Sequence, residues 1–509
     1  MKKPLLTTLT ALTAFVPATA ARRPNILLFM VDDMGWQDTS LPFHTERTPL
    51  NERFHTPNME RLARMGTQFT SAYACSISSP SRCSLLTGMN AARHRVTNWT
   101  LRPGTATDED DPDVEIPQWN VNGIQPVAGI ERSVPATSFV ELLRQNGYRT
   151  IHCGKAHFGA IDTPGADPCT FGFDVNICGH AAGGLASYLG EQRYGHDMQG
   201  RPISPFAVPG LEKYWDTDVF VTEALTKEAI EALERNRENG KQPFFLYMSH
   251  YAVHVPIQAD KRFLQKYLDA GLSTTEAAYA TLVEGMDKSL GDLMDYLNRT
   301  GQRENTIILF MSDNGGLSAL GRTPPLGVQN APLRSGKGSA YEGGIREPMI
   351  VCWPGVTAPG STIDDYLIIE DFFPSILEMA RIKKYKTMQT VDGVSFVPLL
   401  TGKGRPDRNR PLYWNTPNTW IGGNHRQEGI GQTCAVRRGD YKLVYWYKDG
   451  RKELFNIRKD IGETTDIAAD HPELVASLSA DLSQYLRRVN AQRPTLKATG
   501  TPCPWPDEL

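Results

Sequence analysis

Short, almost wholly apolar runs recur along the chain at Asn25–Val31, Tyr148–Cys153, Phe244–Met248, Thr306–Met311 and Met349–Trp353. A strand that is apolar at nearly every residue has to be covered on both faces, and a parallel sheet between helical layers supplies that cover. Between the runs the apolar spacing changes to three and four, as at Leu282, Met286, Leu290, Leu293 and Leu297. That is the stripe of a helix packed on a core. The alternation predicts an α/β fold with a largely parallel sheet. Neither an internal repeat nor a low-complexity stretch interrupts it. At 509 residues the chain can bury a large core, and one big domain with a smaller one accounts for the length.

The residues just beyond each run are the informative ones. Asp32-Asp33 follow the first, Gly154-Lys155-Ala156-His157 the second, His254 comes shortly after the third, and Asp313-Asn314-Gly315-Gly316 follow the fourth. Ligands of open α/β sheets bind beyond the carboxyl ends of the strands, so four strand ends would deliver these groups to one region. Singly each is ordinary, since an Asp pair after a strand is usually a solvated turn and a lone His a satisfied structural residue. Together, Asp32, Asp33, Asp313 and Asn314 offer oxygen ligands only. Such a set suits a hard cation rather than zinc, and Ca²⁺ accepts irregular carboxylate and amide geometry more readily than Mg²⁺.

Charge narrows the class of partner. The 54 Lys and Arg against 57 Asp and Glu give a net charge of −3, without a basic block that would bind nucleic acid. Lys2-Lys3, an apolar stretch from Leu5 to Val16 and the small residues Ala18-Thr19-Ala20 read as a signal peptide over residues 1–20. No later window is apolar enough to span a membrane. Eight cysteines (75, 83, 153, 169, 178, 352, 434 and 503) in an exported chain make disulfides possible, but their spacing names no pairs and lacks a zinc-site cluster. Asn98-Trp99-Thr100 and Asn298-Arg299-Thr300 satisfy the glycosylation pattern.

The most specific stretch is Ser78-Ser79-Pro80-Ser81-Arg82-Cys83-Ser84-Leu85-Leu86-Thr87-Gly88. Locally it predicts a short helix, capped by Ser79, starting at Pro80 and ended by Gly88, with Ser78 near its positive end. The stretch resembles the signature of the type I sulfatases: Cys or Ser, any residue, Pro-Ser-Arg, three residues, Leu-Thr-Gly. Flanking segments are similar to the family as well. They are Gly147-Tyr148-Arg149-Thr150 to Lys155 (with Ala156 where Trp is common), His254-Val255-Pro256 (with Val253 in place of Pro), and Pro332-Leu333-Arg334 through Lys337 to Arg346. Val436 to Leu443 and Glu453-Leu454-Phe455-Asn456 resemble its C-terminal sheet.

The resemblance implies an alkaline-phosphatase-like fold: a large, mostly parallel mixed sheet flanked by helices, with a smaller C-terminal antiparallel-sheet α+β domain. The boundaries expected are 21–405 and 406–509. It further implies that Ser78 is oxidised to formylglycine, whose hydrate is the nucleophile, and that Asp32, Asp33, Asp313 and Asn314 bind Ca²⁺ beside it, with the modified Ser78 as a further ligand. Arg82, Lys155, His157, His254 and Lys337 match catalytic and sulfate-binding positions. The Ser-type pattern implies a bacterial periplasmic or secreted enzyme, matured before export by a radical enzyme acting on Ser78.

The expected substrate is a sulfated carbohydrate, such as a galactose or N-acetylhexosamine sulfate of a host or algal glycan. The segments Thr39–His55, Thr97–Pro126, Asn176–His196 and Asn415–Thr433 are expected to recognise it, with Trp99, Arg102, His180 and His425 as candidates. The alternatives are an aryl or choline sulfatase, a phosphodiesterase or phosphonate hydrolase of the same superfamily, and a non-catalytic glycan-binding protein with unmodified Ser78.

Overall fold

The computed structural model describes residues 22–240, 242–319, 321–404, 407–420 and 428–509; the signal-peptide reading and His425 lie outside them. Its main sheet has nine strands: β1 (Asn25–Val31), β2 (Thr67–Tyr73), β3 (Arg149–Gly154), β4 (Val175–Ile177), β5 (Phe244–Ser249), β6 (Thr306–Ser312), β7 (Arg346–Cys352), β8 (Ser361–Ile363) and β9 (Leu367–Ile368). Their order is β8-β2-β7-β6-β1-β5-β3-β4, with β9 also beside β2. β7 runs antiparallel to both neighbours, and every other pairing is parallel.

Alternate residues of β1 enter two different cores, as the strand's period of two requires. Ile26, Leu28 and Met30 face one core, and Leu27, Phe29 and Val31 face the other. Helices α2 (Ser78–Thr87), α3 (Phe139–Gln145) and α6 (Phe372–Met379) cover the first side; α1 (Pro57–Met65), α4 (Val221–Asn239) and α5 (Thr274–Arg299) cover the second. The stripe read at Leu282, Met286, Leu290, Leu293 and Leu297 lies along α5 with every side chain fully buried. Each contributes about 1.5–3 kcal/mol of transfer free energy.

A second sheet follows, made of β10 (Leu412–Thr416), β11 (Thr433–Arg438), β12 (Tyr441–Trp446) and β13 (Lys452–Asn456), antiparallel and in sequence order. Val436, Leu443 and Leu454 pack under helix α7 (Pro472–Arg488), while Ala435, Val444 and Phe455 join the first core of the main sheet. All eight cysteines are unbonded; Cys169 is exposed, and the other seven are buried as packing side chains rather than staples. Among the described residues no helix is long and apolar enough to cross a membrane.

Candidate active site

The four strands whose ends carry polar residues are neighbours, in the order β6-β1-β5-β3, and all are parallel. Their carboxyl ends therefore lie on one edge, and Asp313-Asn314, Asp32-Asp33, His254 and Lys155–His157 emerge side by side. Asp33 (φ 61°) and His157 (φ 63°) turn off their strands in the left-handed region. Side chains rarely adopt it, and it re-aims both residues toward the site.

Opposite them stands α2. It begins at Ser78 with Ile77 as its cap residue, rather than at Pro80 with Ser79 as cap, and it ends at Gly88 in the left-handed conformation (φ 67°). Ser79 is free of capping because its hydroxyl is used elsewhere. It lies 2.8 Å from His157 Nε2 and accepts from Thr100 N at 3.1 Å. Ser78 is thus the first helical residue, buried and near unpaired backbone N–H groups.

Ser78 Oγ is the point of convergence. It accepts from Lys155 Nζ at 3.0 Å, and its own proton can go to Asn314 Oδ1 at 3.0 Å or Asp32 Oδ1 at 3.2 Å. Lys155 Nζ also donates to Asp32 Oδ2 at 2.7 Å. Arg82, one turn along α2, donates from Nε to Asp313 Oδ2 at 2.8 Å and from Nη1 to Ser249 Oγ at 2.6 Å. Lys337 Nζ lies 2.7 Å from Asp33 Oδ1, and Asn314 Nδ2 donates to that same oxygen at 2.9 Å. Three carboxylates are matched by three cations, all six side chains buried.

Burial decides the protonation equilibria here, except where a charge overrides it. Burial penalises the Asp33 carboxylate, yet the ammonium groups of Lys337 and Lys155 outweigh it and hold the carboxyl below its ordinary range. At Asp313 burial is likewise outweighed, by Arg82 and Lys155. At Asp32 burial wins and the carboxyl is pushed up. Burial, with Lys337 adding to it, pushes the His254 imidazolium down to about 3, and burial with Lys155 lowers His157 as well. Both rings are therefore neutral, and their partners fix the tautomers. His157 Nε2 faces the carbonyl of Thr100 at 3.0 Å and must carry the proton, which leaves Nδ1 as the acceptor, buried and without a hydrogen-bond partner. His254 Nδ1 donates to Val255 O at 2.8 Å, leaving Nε2 3.8 Å from Asp33 Oδ2.

A cavity of about 320 Å³ opens onto Ser78, Asp33, His157, His254 and Lys337. Its outer wall includes Trp99, Phe206 and Trp420. Of the candidates for substrate contact, Trp99 lines the cavity. Arg102 is exposed and is not among the residues lining the cavity. His180 stands behind His157, whose backbone N–H donates to its carbonyl at 3.2 Å, and its ring lies 3.4 Å from Tyr251 OH. Trp420 and Phe206 escaped the sequence reading because single aromatics in loops carry no pattern. So did Gly183-Gly184: an added Cβ would come 2.0 Å from His157 Cε1 at the first and 3.0 Å from His254 Cε1 at the second. An adjacent glycine pair inside the segment 176–196 was the available signal. Two larger clefts, of about 390 and 480 Å³, share Arg437, Asp440 and Arg458 at the seam of the two sheets. In both, Arg458 is paired with Asp440 at 2.9 Å.

The sheet order and this serine-centred cluster define the class, an alkaline-phosphatase-like hydrolase of anionic esters. The family model described as Sulfatase matches residues 24–382, and one described as N-sulphoglucosamine sulphohydrolase, C-terminal, matches residues 336–492. The chain belongs to the sulfatase family and is a sulfuric ester hydrolase. A sulfatase of Formosa agariphila is 31% identical to it, covering 93% of this chain and 90% of the relative. The N-acetylgalactosamine-6-sulfatase of Mus musculus is 30% identical, over 92% of this chain and 82% of its own. The solved structure of Ps i-CgsB in complex with k-i-k-neocarrahexaose aligns with a TM-score of 0.73 at 27% identity, over 91% of this chain and 93% of that one.

Proposed function

We propose that this sulfatase removes sulfate from carbohydrates, a galactose or N-acetylhexosamine sulfate of a host or algal glycan, with Ser78 matured to formylglycine and Ca²⁺ held by Asp32, Asp33, Asp313 and Asn314. The observation that carries the reading is the meeting of Lys155, Asp32 and Asn314 on Ser78 Oγ, all within 3.2 Å, at the floor of the cavity. The relatives support the substrate class, one being named N-acetylgalactosamine-6-sulfatase and another solved with k-i-k-neocarrahexaose.

The donors fit the ion. One oxygen from each of Asp32, Asp33 and Asp313 lies within 4.8 Å of the others in a fully buried group, and Asn314 Oδ1 faces the same serine oxygen. Hard oxygen donors suit Ca²⁺. Bound there, Ca²⁺ supplies positive charge that favours the ionised nucleophile and offsets charge on the sulfate, while formylglycine supplies a hydrated aldehyde with a second hydroxyl that an ordinary serine lacks.

The chain's own residues do the rest. Arg82, Lys155 and Lys337 neutralise the sulfate oxygens, and a fixed array of cations in a dry site requires little reorganisation as charge develops. The negative charge of a bound sulfate ester favours the imidazolium form of His254; that form hands its Nε2 proton to the departing sugar oxygen and is left as the neutral ring protonated at Nδ1, with Lys337 beside it. His157 receives a proton at Nδ1, the nitrogen without a partner, while Ser79 and Thr100 hold Nε2. Trp99 and Trp420 offer flat apolar faces for a sugar ring. We assign residues 21–405 to the catalytic domain and 406–509 to the smaller one, and place the enzyme in the periplasm or outside a bacterial cell after maturation by a radical enzyme. The basic and apolar start of the chain supports export.

Sulfate release from N-acetylgalactosamine 6-sulfate, N-acetylglucosamine 6-sulfate, galactose 6-sulfate, 4-nitrophenyl sulfate and choline sulfate, together with 4-nitrophenol release from bis(4-nitrophenyl) phosphate, tests the proposal. A sulfated sugar is expected to exceed the others in kcat/KM by about tenfold or more. A panel led by choline sulfate or the phosphate diester would overturn it.

A further inference from the structure

Lys337 stands on a segment that is irregular from residue 332 to 341 and then forms one helical turn, Glu342–Ile345. The segment is gripped from two sides. On the main-sheet side, Lys337 N donates to Gly316 O at 3.1 Å and Gly315 N donates to Gly344 O at 3.0 Å. Contact there is so close that a Cβ on Gly315 would lie 2.0 Å from Gly343 O.

On the other side the C-terminal region supplies the grip. Arg334 Nη1 donates to Glu463 O at 3.1 Å, Ser335 Oγ donates to Glu428 O, and Tyr341 OH donates to Glu453 Oε2 at 2.7 Å. Glu342 N donates to Glu463 Oε2 at 2.7 Å. At the middle is an ion cluster closed to water: Lys442 Nζ, projecting from β12, lies 3.0 Å from Glu342 Oε1 and 2.8 Å from Glu463 Oε1, all three side chains fully buried. The second oxygen of Glu342 accepts from Tyr73 OH at 2.7 Å and Arg346 Nη1 at 3.1 Å.

Removing an ammonium and two carboxylates from water costs several kcal/mol per ion, and apolar side chains of similar volume commonly stabilise such a site as well or better. Stability alone does not explain the cluster. What it provides is direction, because Glu342 is fixed from Lys442, Tyr73 and Arg346 at once, five residues from the ammonium that reaches Asp33. We infer that Lys442 is a positioning residue: through Glu342 and Glu463, the C-terminal sheet sets where Lys337 stands in the active site. This rests on the role given above to Lys337.

A double-mutant cycle tests it, using full-length enzyme matured in one host, rates normalised to the converted Ser78 peptide, and the sulfated monosaccharide hydrolysed fastest in the panel. K442M is expected to lower kcat by about 10²-fold, the scale of a misplaced catalytic group. Added to K337A, it is expected to cost less than about twofold more, because its effect runs through the side chain already removed. Amide exchange in residues 337–346 should quicken in K442M. Losses that multiply in the double variant would show that Lys442 serves the fold at large and would overturn the inference. Should K442M not fold, K442M/E463Q, which removes one charge of each sign, takes its place in the same cycle with the same expectation. If K337A keeps the full kcat, the reading of Lys337 falls and this inference with it; if K337A is impaired while Lys442 variants are not, the inference alone falls.

Discussion

A Cβ on Gly183 would sit 2.0 Å from His157 Cε1 and 2.3 Å from Nδ1, far inside contact distance, and the ring has little room to retreat because Nε2 is held by Thr100 O and Ser79 Oγ on its other side. Gly183→Ala should therefore displace His157, lowering kcat by about 10²-fold and the unfolding midpoint by the equivalent of about 1–3 kcal/mol of overpacking. A folded variant with unaltered kcat would remove His157 from the mechanism. The contrast with Ser78 is instructive for what one sequence reveals. Ser78, Asp32, Asp33, Asp313 and Asn314 were legible because strand-end placement and a long motif pointed to them independently. Gly183 was not, since it acts by lacking a side chain, and its effect exists only once His157 is beside it. Arg102, a plausible sugar-binding residue type, is exposed and lies outside the cavity lining.

Elements bind one another here through their polar ends as well as their apolar stripes. Asp287, on α5, accepts from the backbone of Asn58 at 3.0 Å and of Met59 at 2.8 Å, and so caps the first turn of α1 from a neighbouring helix. Its carboxylate also takes Asn58 Nδ2 at 2.9 Å. Asp287→Ala leaves buried donors unpaired and should destabilise the protein by about 2 kcal/mol, read as a lower denaturant midpoint with kcat at 25 °C retained. An unchanged midpoint would mean that water serves α1 equally well. No cap of this kind was readable beforehand, because it joins residues more than two hundred positions apart. The strands of the sheet centre, by contrast, were found nearly residue for residue, since burial on both faces makes them apolar throughout. β2 was missed: its Thr-Gln-Phe-Thr-Ser-Ala-Tyr is half polar, and its place in the sheet depends on β7, β8 and β9 pairing around it. The start of α2 moved from Pro80 to Ser78 because Ser79 is recruited by His157 and Thr100, a partnership that local propensity cannot contain.

At the scale of the molecule, the catalytic sheet and the C-terminal sheet share a core through Ala435, Val444 and Phe455, and share the segment that carries Lys337. The two family matches overlap over residues 336–382, which is that same region of chain. The boundary proposed at 405/406 would thus mark a change of sheet more than a separation of function. The cysteines bear on this too. None of the eight is bonded, so no cross-link ties the fold to the chemistry at Ser78. Activity and folding are for that reason separable, and the central claim can be put to one measurement. The protein is produced with and without the radical maturation enzyme, and the mass of the peptide containing Ser78 is compared with sulfate release in each sample. The account predicts a peptide lighter by one hydrogen molecule together with turnover in the first sample, and an intact serine, a native fold and no turnover in the second. Full sulfate release from protein whose Ser78 is intact would contradict it.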